Sequence, residues 1–246
     1  MRKPALAALA LIATLPAAQA RAQVRPHASV EATTDERRRG ISWSDGQGAL
    51  AASARLDFSN GFDLGVRGVA TRGDPRHGGA DAVIEPTLGY SQLVNGFRLD
   101  AFATGHIFTN GRGPLDYYEG GAGASYTLGP AEAGVEARYA PSQDAIGGSN
   151  LYLGLRGRVG VPLTPFSFTA SAGRSSGDTD DATRAARLRP DGRYYDWSFG
   201  VQHATGPLVL TVEYTGTDID NERSASPFAA RNNAGDRIAA RAALSF

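Results

Sequence analysis

The chain has 246 residues, with 25 Lys+Arg against 25 Asp+Glu and a mean hydropathy of -0.27. That balance leaves neither a basic field to recruit nucleic acid nor an acidic tail. Cysteine is absent and Lys3 is the sole lysine, which excludes thiol catalysis, cysteine-based zinc sites and disulfides; with the N-terminus removed, it also excludes a P-loop or Schiff-base lysine. The 41% hydrophobic content suits a soluble domain, and equally a membrane β-barrel whose apolar residues occupy every second position.

Arg2-Lys3 precedes the apolar run Leu6 to Leu15, then Pro16 and small residues. A charged start, a short apolar stretch and an A-x-A site form a secretory signal, with residues 1–22 removed and 23–246 as the mature domain. Cleavage after Ala20 competes with cleavage after Ala22, the preferred site. Loss of Arg2, Lys3 and Arg21 leaves 22 basic residues, all arginine, against 25 acidic ones. No later stretch approaches the roughly 18 consecutive apolar residues that a membrane helix needs.

From there the chain repeats one pattern. Leu50, Ala52, Ala54, Leu56 and Phe58 alternate with Ser53, Arg55 and Asp57, and beyond Asn60-Gly61 Phe62, Leu64 and Val66 alternate with Asp63, Gly65 and Arg67. Phe97, Leu99, Ala101 and Ala103 oppose Arg98 and Asp100; Ala131 to Tyr139 oppose Glu132, Glu136 and Arg138; Leu151 to Val159 oppose Arg156 and Arg158. Phe166 to Ala172, Leu208 to Tyr214 and Ile238 to Phe246 continue it. A period of two with one wet and one dry face is a strand half in water. Tight turns fall at Asn60-Gly61, Asn95-Gly96, Gly129-Pro130, Thr164-Pro165 and Gly206-Pro207, Asn-Gly being the strongest hairpin signal. Longer polar loops lie near residues 37–47, 73–80, 110–115, 141–149, 177–193 and 221–235. The rhythm predicts an all-β, antiparallel up-and-down transmembrane barrel of about twelve strands, with short turns on one side and long loops on the other. An even strand number puts both termini on the short-turn, periplasmic side. A soluble sandwich also alternates, but its strands are commonly shorter, and this dry face contains many Ala and Gly, a thin surface rather than a bulky two-sheet core. Aromatics near the strand ends, including Phe62, Tyr90, Phe97, Tyr117, Tyr126, Tyr139, Phe166, Tyr194, Tyr195 and Trp197, suit interfacial girdles.

Arg39-Gly40-Ile41-Ser42-Trp43-Ser44-Asp45-Gly46-Gln47-Gly48-Ala49-Leu50, followed by Gly61-Phe62-Asp63-Leu64-Gly65-Val66, resembles the opening of the TorF family of porins. The resemblance implies an outer-membrane channel for passive diffusion of small hydrophilic solutes; no cofactor or metal is expected from the motifs present. The alternating end, Ile238, Ala240, Ala242, Leu244 and Phe246, is similar to the C-terminal signal read by the barrel assembly machinery, with Ala242 departing from the usual aromatic. Outer-membrane lipid, lipopolysaccharide and that machinery are the implied partners; nucleic acid is not.

On the wet face, Arg55, Arg67, Glu85, Arg98, Asp100, Glu132, Glu136, Arg138, Arg156, Arg158, Glu213 and Arg241 are the expected pore-lining set, since rings of charge select permeating ions. The same charges also suit a salt-bridged network that braces or fills the lumen. Inward glycines such as Gly89, Gly121, Gly154 and Gly173 suit either open volume or relief of barrel curvature. Arg37-Arg38-Arg39 is read as an internally paired cluster or a site for lipopolysaccharide phosphates. The acidic groups Asp178, Asp180, Asp181 and Asp218, Asp220, Glu222 lack EF-hand spacing, and the four histidines show no metal-ligand spacing. A structural or adhesion barrel with a blocked lumen, and an outer-membrane hydrolase built on His106 or His203, remain the competing classes.

Overall fold

A computed structural model describes residues 24–220, 228 and 233–246 of the chain. The expected signal segment, residues 1–22, lies outside the described residues. Twelve long strands close into an antiparallel barrel, as the alternation predicts. They are β1 (Val24–Thr33), β4 (Ala49–Phe58), β5 (Phe62–Asp74), β6 (Ala80–Val94), β7 (Phe97–Thr109), β8 (Tyr117–Leu128), β9 (Ala131–Gln143), β10 (Gly148–Gly160), β11 (Phe166–Ser176), β12 (Tyr194–Thr205), β13 (Leu208–Thr217) and β14 (Arg237–Ser245). Two-residue strands β2 (Arg37–Arg38) and β3 (Ile41–Ser42) pair with each other inside the first long loop. Each long strand pairs with its sequence neighbour, and β1 closes on β14 from Ser29↔Ser245 to Thr33↔Arg241. Closure leaves no open edge, the condition for a sheet to satisfy its backbone groups in hydrocarbon.

The turns fall where expected. At the β6–β7 turn, Asn95 and Gly96 both have positive φ, 51° and 85°, which is the twist that a two-residue hairpin requires. The strands run from 9 to 15 residues, as in β14 and β6; the longer ones continue past the 9–11 residues needed to cross a bilayer into the long-loop end.

Side chains are distributed inside out relative to a soluble protein. Leu50, Leu64, Leu88, Val135, Leu153, Leu155, Leu210, Val212 and Ile238 all point outward and exposed, while Glu85, Glu119 and Asp196 point inward and buried. Soluble monomers rarely expose so many large apolar side chains on one continuous face. At the turn end, aromatic rings pair across strands on this outer face: Phe62 with Tyr90 at 4.9 Å and Phe97 with Tyr126 at 4.9 Å. Tyr118, Tyr139, Tyr195 and Trp197 stand exposed toward the other end. Tyr117 and Tyr194, expected in that girdle, instead turn inward and are buried, because they occupy the inward register of β8 and β12.

The outward position of Leu155, near the middle of β10, yields a quantitative expectation. Leu155→Arg should destabilise the barrel in lipid vesicles by about 2–4 kcal/mol, the cost of arginine near the bilayer midplane, as read from denaturant unfolding. An unchanged unfolding midpoint would mean that hydrocarbon does not cover this face.

Candidate functional site: a plugged, charge-lined lumen

The long loop 34–48 folds back into the barrel. Its turn is a local consequence of sequence: Arg39 and Gly40 both have positive φ, and a Cβ on Gly40 would run into Thr217 and the carbonyl of Gly216. Asp35, buried, organises the loop: its carboxylate accepts the Ser42 hydroxyl at 2.5 Å, the Ser44 hydroxyl at 3.2 Å and Arg37 Nη1 at 3.0 Å. Ser42 Oγ in turn accepts the Gly46 amide at 2.8 Å. These contacts are what the Ile41-Ser42-Trp43-Ser44-Asp45-Gly46 run encodes.

The folded-back loop presents two arginines downward and one tryptophan sideways. Arg38 donates to both carboxylate oxygens of Glu85, Nη2 to Oε2 at 2.8 Å, and through Nε to Glu36 at 3.1 Å; its guanidinium lies 4.1 Å over the Trp43 ring. Arg39 Nη2 donates to both oxygens of Glu119 at 3.0 and 2.8 Å and lies 4.6 Å over Tyr152. His106 stands between the two acceptors, with Nδ1 2.8 Å from Glu85 and Nε2 3.7 Å from Glu119. Arg67 reaches Glu36 and Glu31 at 2.9 and 3.1 Å, and Arg138 reaches Glu136 and Glu119 at 3.1 and 3.4 Å. Of the two readings of Arg37-Arg38-Arg39, internal pairing is the one observed.

Above this ionic layer lies a dry one. Trp43 packs 4.5 Å from His77 and 6.0 Å from Phe108, and His77 stacks on Phe108 at 4.8 Å. Val69, Val83, Tyr117, Ile146 and Leu188 complete the cluster. The hydrophobic core of this barrel therefore sits inside its lumen at the long-loop end. Arg76 and Arg187 cross it fully buried. Arg76 donates to the Arg187 carbonyl and to the Ser42 carbonyl at 2.9 Å; Arg187 Nη1 donates to the carbonyls of Leu115 and Ala145 at 3.0 and 2.6 Å. Burial brings Arg187 down to about 10. Burial also holds the His77 imidazole well below its ordinary value, and the nearby Arg76, Arg187, Arg38 and His106 push the same way.

Beneath the plug the lumen is open. A cavity of about 530 Å³ lies directly under Arg38, Arg39 and Trp43, and one of about 650 Å³ continues to the turn end; both are lined by Arg55, Asp63, Glu136 and Arg138. All twelve expected pore-lining residues occupy inward registers. Arg67, Glu85, Glu136 and Arg138 join the network already described. Arg55 pairs with Asp57 at 2.6 Å and Asp63 at 3.2 Å, and Arg241 with Glu31 at 3.7 Å. Arg158 donates to the Ser167 hydroxyl at 3.1 Å, and Arg98 lies 3.5 Å from that of Ser91. Asp100, Glu132 and Arg156 line the lower cavity, and Glu213 faces inward on β13.

The inward glycines are less a source of open volume than seats. A Cβ on Gly154 or Gly173 would strike the Tyr152 ring, one on Gly121 the Phe102 ring, and one on Gly89 the Asp63 carboxylate. At Gly173, Gly121 and Gly89 it is the neighbouring strand's side chain that lies flat against the wall, and at Gly154 that of the same strand.

The alternation pattern did not find Glu36, Trp43, Arg76, His77, His106 or Arg187, whereas Glu119 belongs to the wet face that it marks. One signal was present: inward registers turn apolar toward the long-loop end, at Val69, Val83, Phe108 and Tyr117, which marks something other than water as their neighbour. Glu85 lies against His106 Nδ1 at 2.8 Å, and among the described residues His106 Nε2 has no hydrogen-bond partner. Among the described residues no group of acidic or histidine side chains is arranged to hold a metal ion.

Glu119→Ala removes the acceptor shared by Arg39 and Arg138. Leaving a buried guanidinium uncompensated should lower stability by about 3–5 kcal/mol in denaturant unfolding and raise acrylamide quenching of Trp43.

A family model described as a bacterial protein of unknown function (Gcw_chp) matches residues 17–244, and the chain belongs to that family. No curated protein matches the sequence. Among solved structures, the chain is similar to LpxR from Salmonella typhimurium (TM-score 0.46, 9% identity, 89% of this chain and 99% of that one). It is likewise similar to OmpT, an outer membrane protein of Vibrio cholerae (TM-score 0.46, 11% identity, 91% and 97%). Pseudomonas aeruginosa OccK9 gives a TM-score of 0.41 at 16% identity, over 92% of this chain and 63% of that one.

Proposed function

We propose that this member of the Gcw_chp family is an outer-membrane barrel for passive diffusion of small hydrophilic solutes, seen with its long-loop mouth closed by the plug. The observation that carries the reading is the inside-out wall: an apolar belt outside, and inside it a charge-lined space running from the turn end up to Arg38 and Arg39. Residues 1–22 act as the export signal, both termini face the periplasm, and the strand ending in Phe246 is what the assembly machinery reads. The likeness of the plug segment to the TorF porin opening supports the channel side of this reading.

No chemistry is needed for such passage. Water fills the lower lumen, and the twelve wall charges set the field through which an ion moves. Their pairing is uneven. Among the described residues, Arg98, Arg156 and Arg158 have no carboxylate within salt-bridge distance and Asp100, Glu132 and Glu213 have no arginine, whereas Arg67 and Arg138 are neutralised by theirs. The turn-end half of the lumen thus carries unpaired charge of both signs. Arg156→Glu with Arg158→Glu should shift the reversal potential in planar-bilayer recordings toward cation preference; an unchanged reversal potential would reject a pore-lining role for both.

A second reading, a scaffold barrel with a permanently filled lumen, is favoured by the burial of Trp43, Arg76 and Arg187. Unlatching separates the two. Arg38→Ser with Arg39→Ser removes the loop's grip on Glu85 and Glu119 and should raise single-channel conductance several-fold over the parent barrel. If both barrels are silent in bilayers and in liposome swelling, the scaffold reading stands.

A further inference from the structure

We infer that protonation of His77 releases the plug, making the long-loop mouth an acid-opened gate. This rests on the channel reading above.

His77 is fully buried, and neither ring nitrogen has a hydrogen-bond partner. A buried histidine normally donates one N–H to an acceptor that fixes its tautomer; this one is held by ring packing alone, against Trp43 at 4.5 Å and Phe108 at 4.8 Å. It sits beside Gly78 and Gly79, both at positive φ, where backbone turns back toward β6. Trp43 belongs to loop 34–48, so the contact that His77 makes is with the plug itself.

The charges around it all carry one lesson. Arg76 is the adjacent residue, Arg187 enters from loop 177–193, Arg38 from β2 and His106 from β7. Two of the nearby carboxylates are fully engaged: Glu85 is bound by Arg38 and His106, and Glu119 by Arg39 and Arg138. Asp74 accepts the Arg76 amide through Oδ1 at 2.8 Å, while its buried Oδ2 has no hydrogen-bond partner, the His77 ring included. Asp116 accepts the Phe108 amide at 2.8 Å. Tyr117 stacks on the other histidine, His106, at 4.3 Å. Among the described residues, neither His77 Nδ1 nor Nε2 meets an acceptor in the plugged state. A proton added there creates a desolvated cation inside a cationic, aromatic pocket, and moving the ring into water is the relief available.

The sign follows from linkage. The plugged state holds His77 neutral, below its ordinary value, so it binds fewer protons than the released state. Plug closure is therefore fully favoured above the ordinary histidine value of about 6.5 and weakens as pH falls below it. The closed-to-open ratio drops up to tenfold per pH unit until the packed ring itself titrates.

Trp43 reports the step. In full-length mature barrel carrying Trp197→Phe, refolded in lipid vesicles, Trp43 is the only tryptophan. Lowering pH from 7.5 to 4.5 should red-shift its emission and raise iodide quenching at least threefold. Bilayer recordings of the parent barrel over the same range should show at least a tenfold rise in open probability. His77→Phe, which keeps a stacking ring that cannot take a proton, should abolish both responses, whereas His106→Gln should retain them. An acid response that survives in His77→Phe, or no movement of Trp43 in the parent, overturns the inference. Should His77→Phe not refold, His77→Leu at matched heat-modifiability takes its place. Trp43 movement without any conductance would instead overturn the channel reading and leave only the acid release of the plug standing.

Discussion

One requirement organises this molecule: a sheet surrounded by hydrocarbon must pair every backbone N–H and C=O within itself. Closure of β1 on β14 meets it, and closure fixes what each register does. Outward positions meet lipid and are apolar; inward positions meet whatever occupies the lumen. The polar residues that a soluble protein shows to water are thus driven inside, where Glu31, Glu85, Glu119 and Glu136 crowd one region of the wall. Carboxylates that close demand cations. The wall supplies Arg67 and Arg138, and the rest come from a loop. Arg38 and Arg39 complete a charge balance that the barrel strands leave unfinished, which explains why loop 34–48 folds inward instead of standing in solvent.

The same geometry accounts for the glycines. A barrel of twelve strands is too wide to be filled by its own side chains as an eight-stranded one is, and too narrow for the wide aqueous channel of a sixteen-stranded porin. Long residues such as Tyr152 and Phe102 lie flat along the wall, and they do so because Gly154, Gly173 and Gly121 leave room for the ring. Arg39 then stacks on the flattened Tyr152 and Arg138 on Phe102. Glycine on one strand, an aromatic on the next and an arginine above form a repeated local unit that stiffens the wall and orients the guanidinium toward its carboxylate.

The strand pattern was legible because period-two alternation is written into every strand, and the turn residues Asn60-Gly61 and Asn95-Gly96 mark where the chain reverses. All twelve charged lumen positions follow from the same parity. The plug was not legible, for a physical reason: it has no period. Its inward fold depends on Asp35 meeting Ser42 and Ser44, and on partners 47 and 80 residues away, Glu85 and Glu119. Tyr117 and Tyr194 show the limit of reading aromatics by proximity to a strand end, since one register step separates a girdle residue from a core residue. The inward run of Val69, Val83, Phe108 and Tyr117 was the missed signal; a water-filled mouth has no use for it.

The plug is held by two layers of unlike physics. The lower layer, Arg38 and Arg39 on Glu85 and Glu119, is electrostatic, borders the hydrated cavity and weakens with ionic strength. The upper layer, Trp43, His77, Phe108 and Leu188, is dry and packed, and salt barely touches it. The two layers act together on a loop tethered at both ends, at Thr33 and Ala49, so the loss of either loosens its seat. From the long-loop side the dry layer is the one within reach, since Trp43 fills the mouth above Arg38. A single titratable ring placed in that layer commands the whole assembly, whereas the same ring among the lower carboxylates would merely add one more ion pair. His106, which does sit among them, braces Glu85; His77, which does not, is the residue through which the environment beyond the loops can act on the lumen.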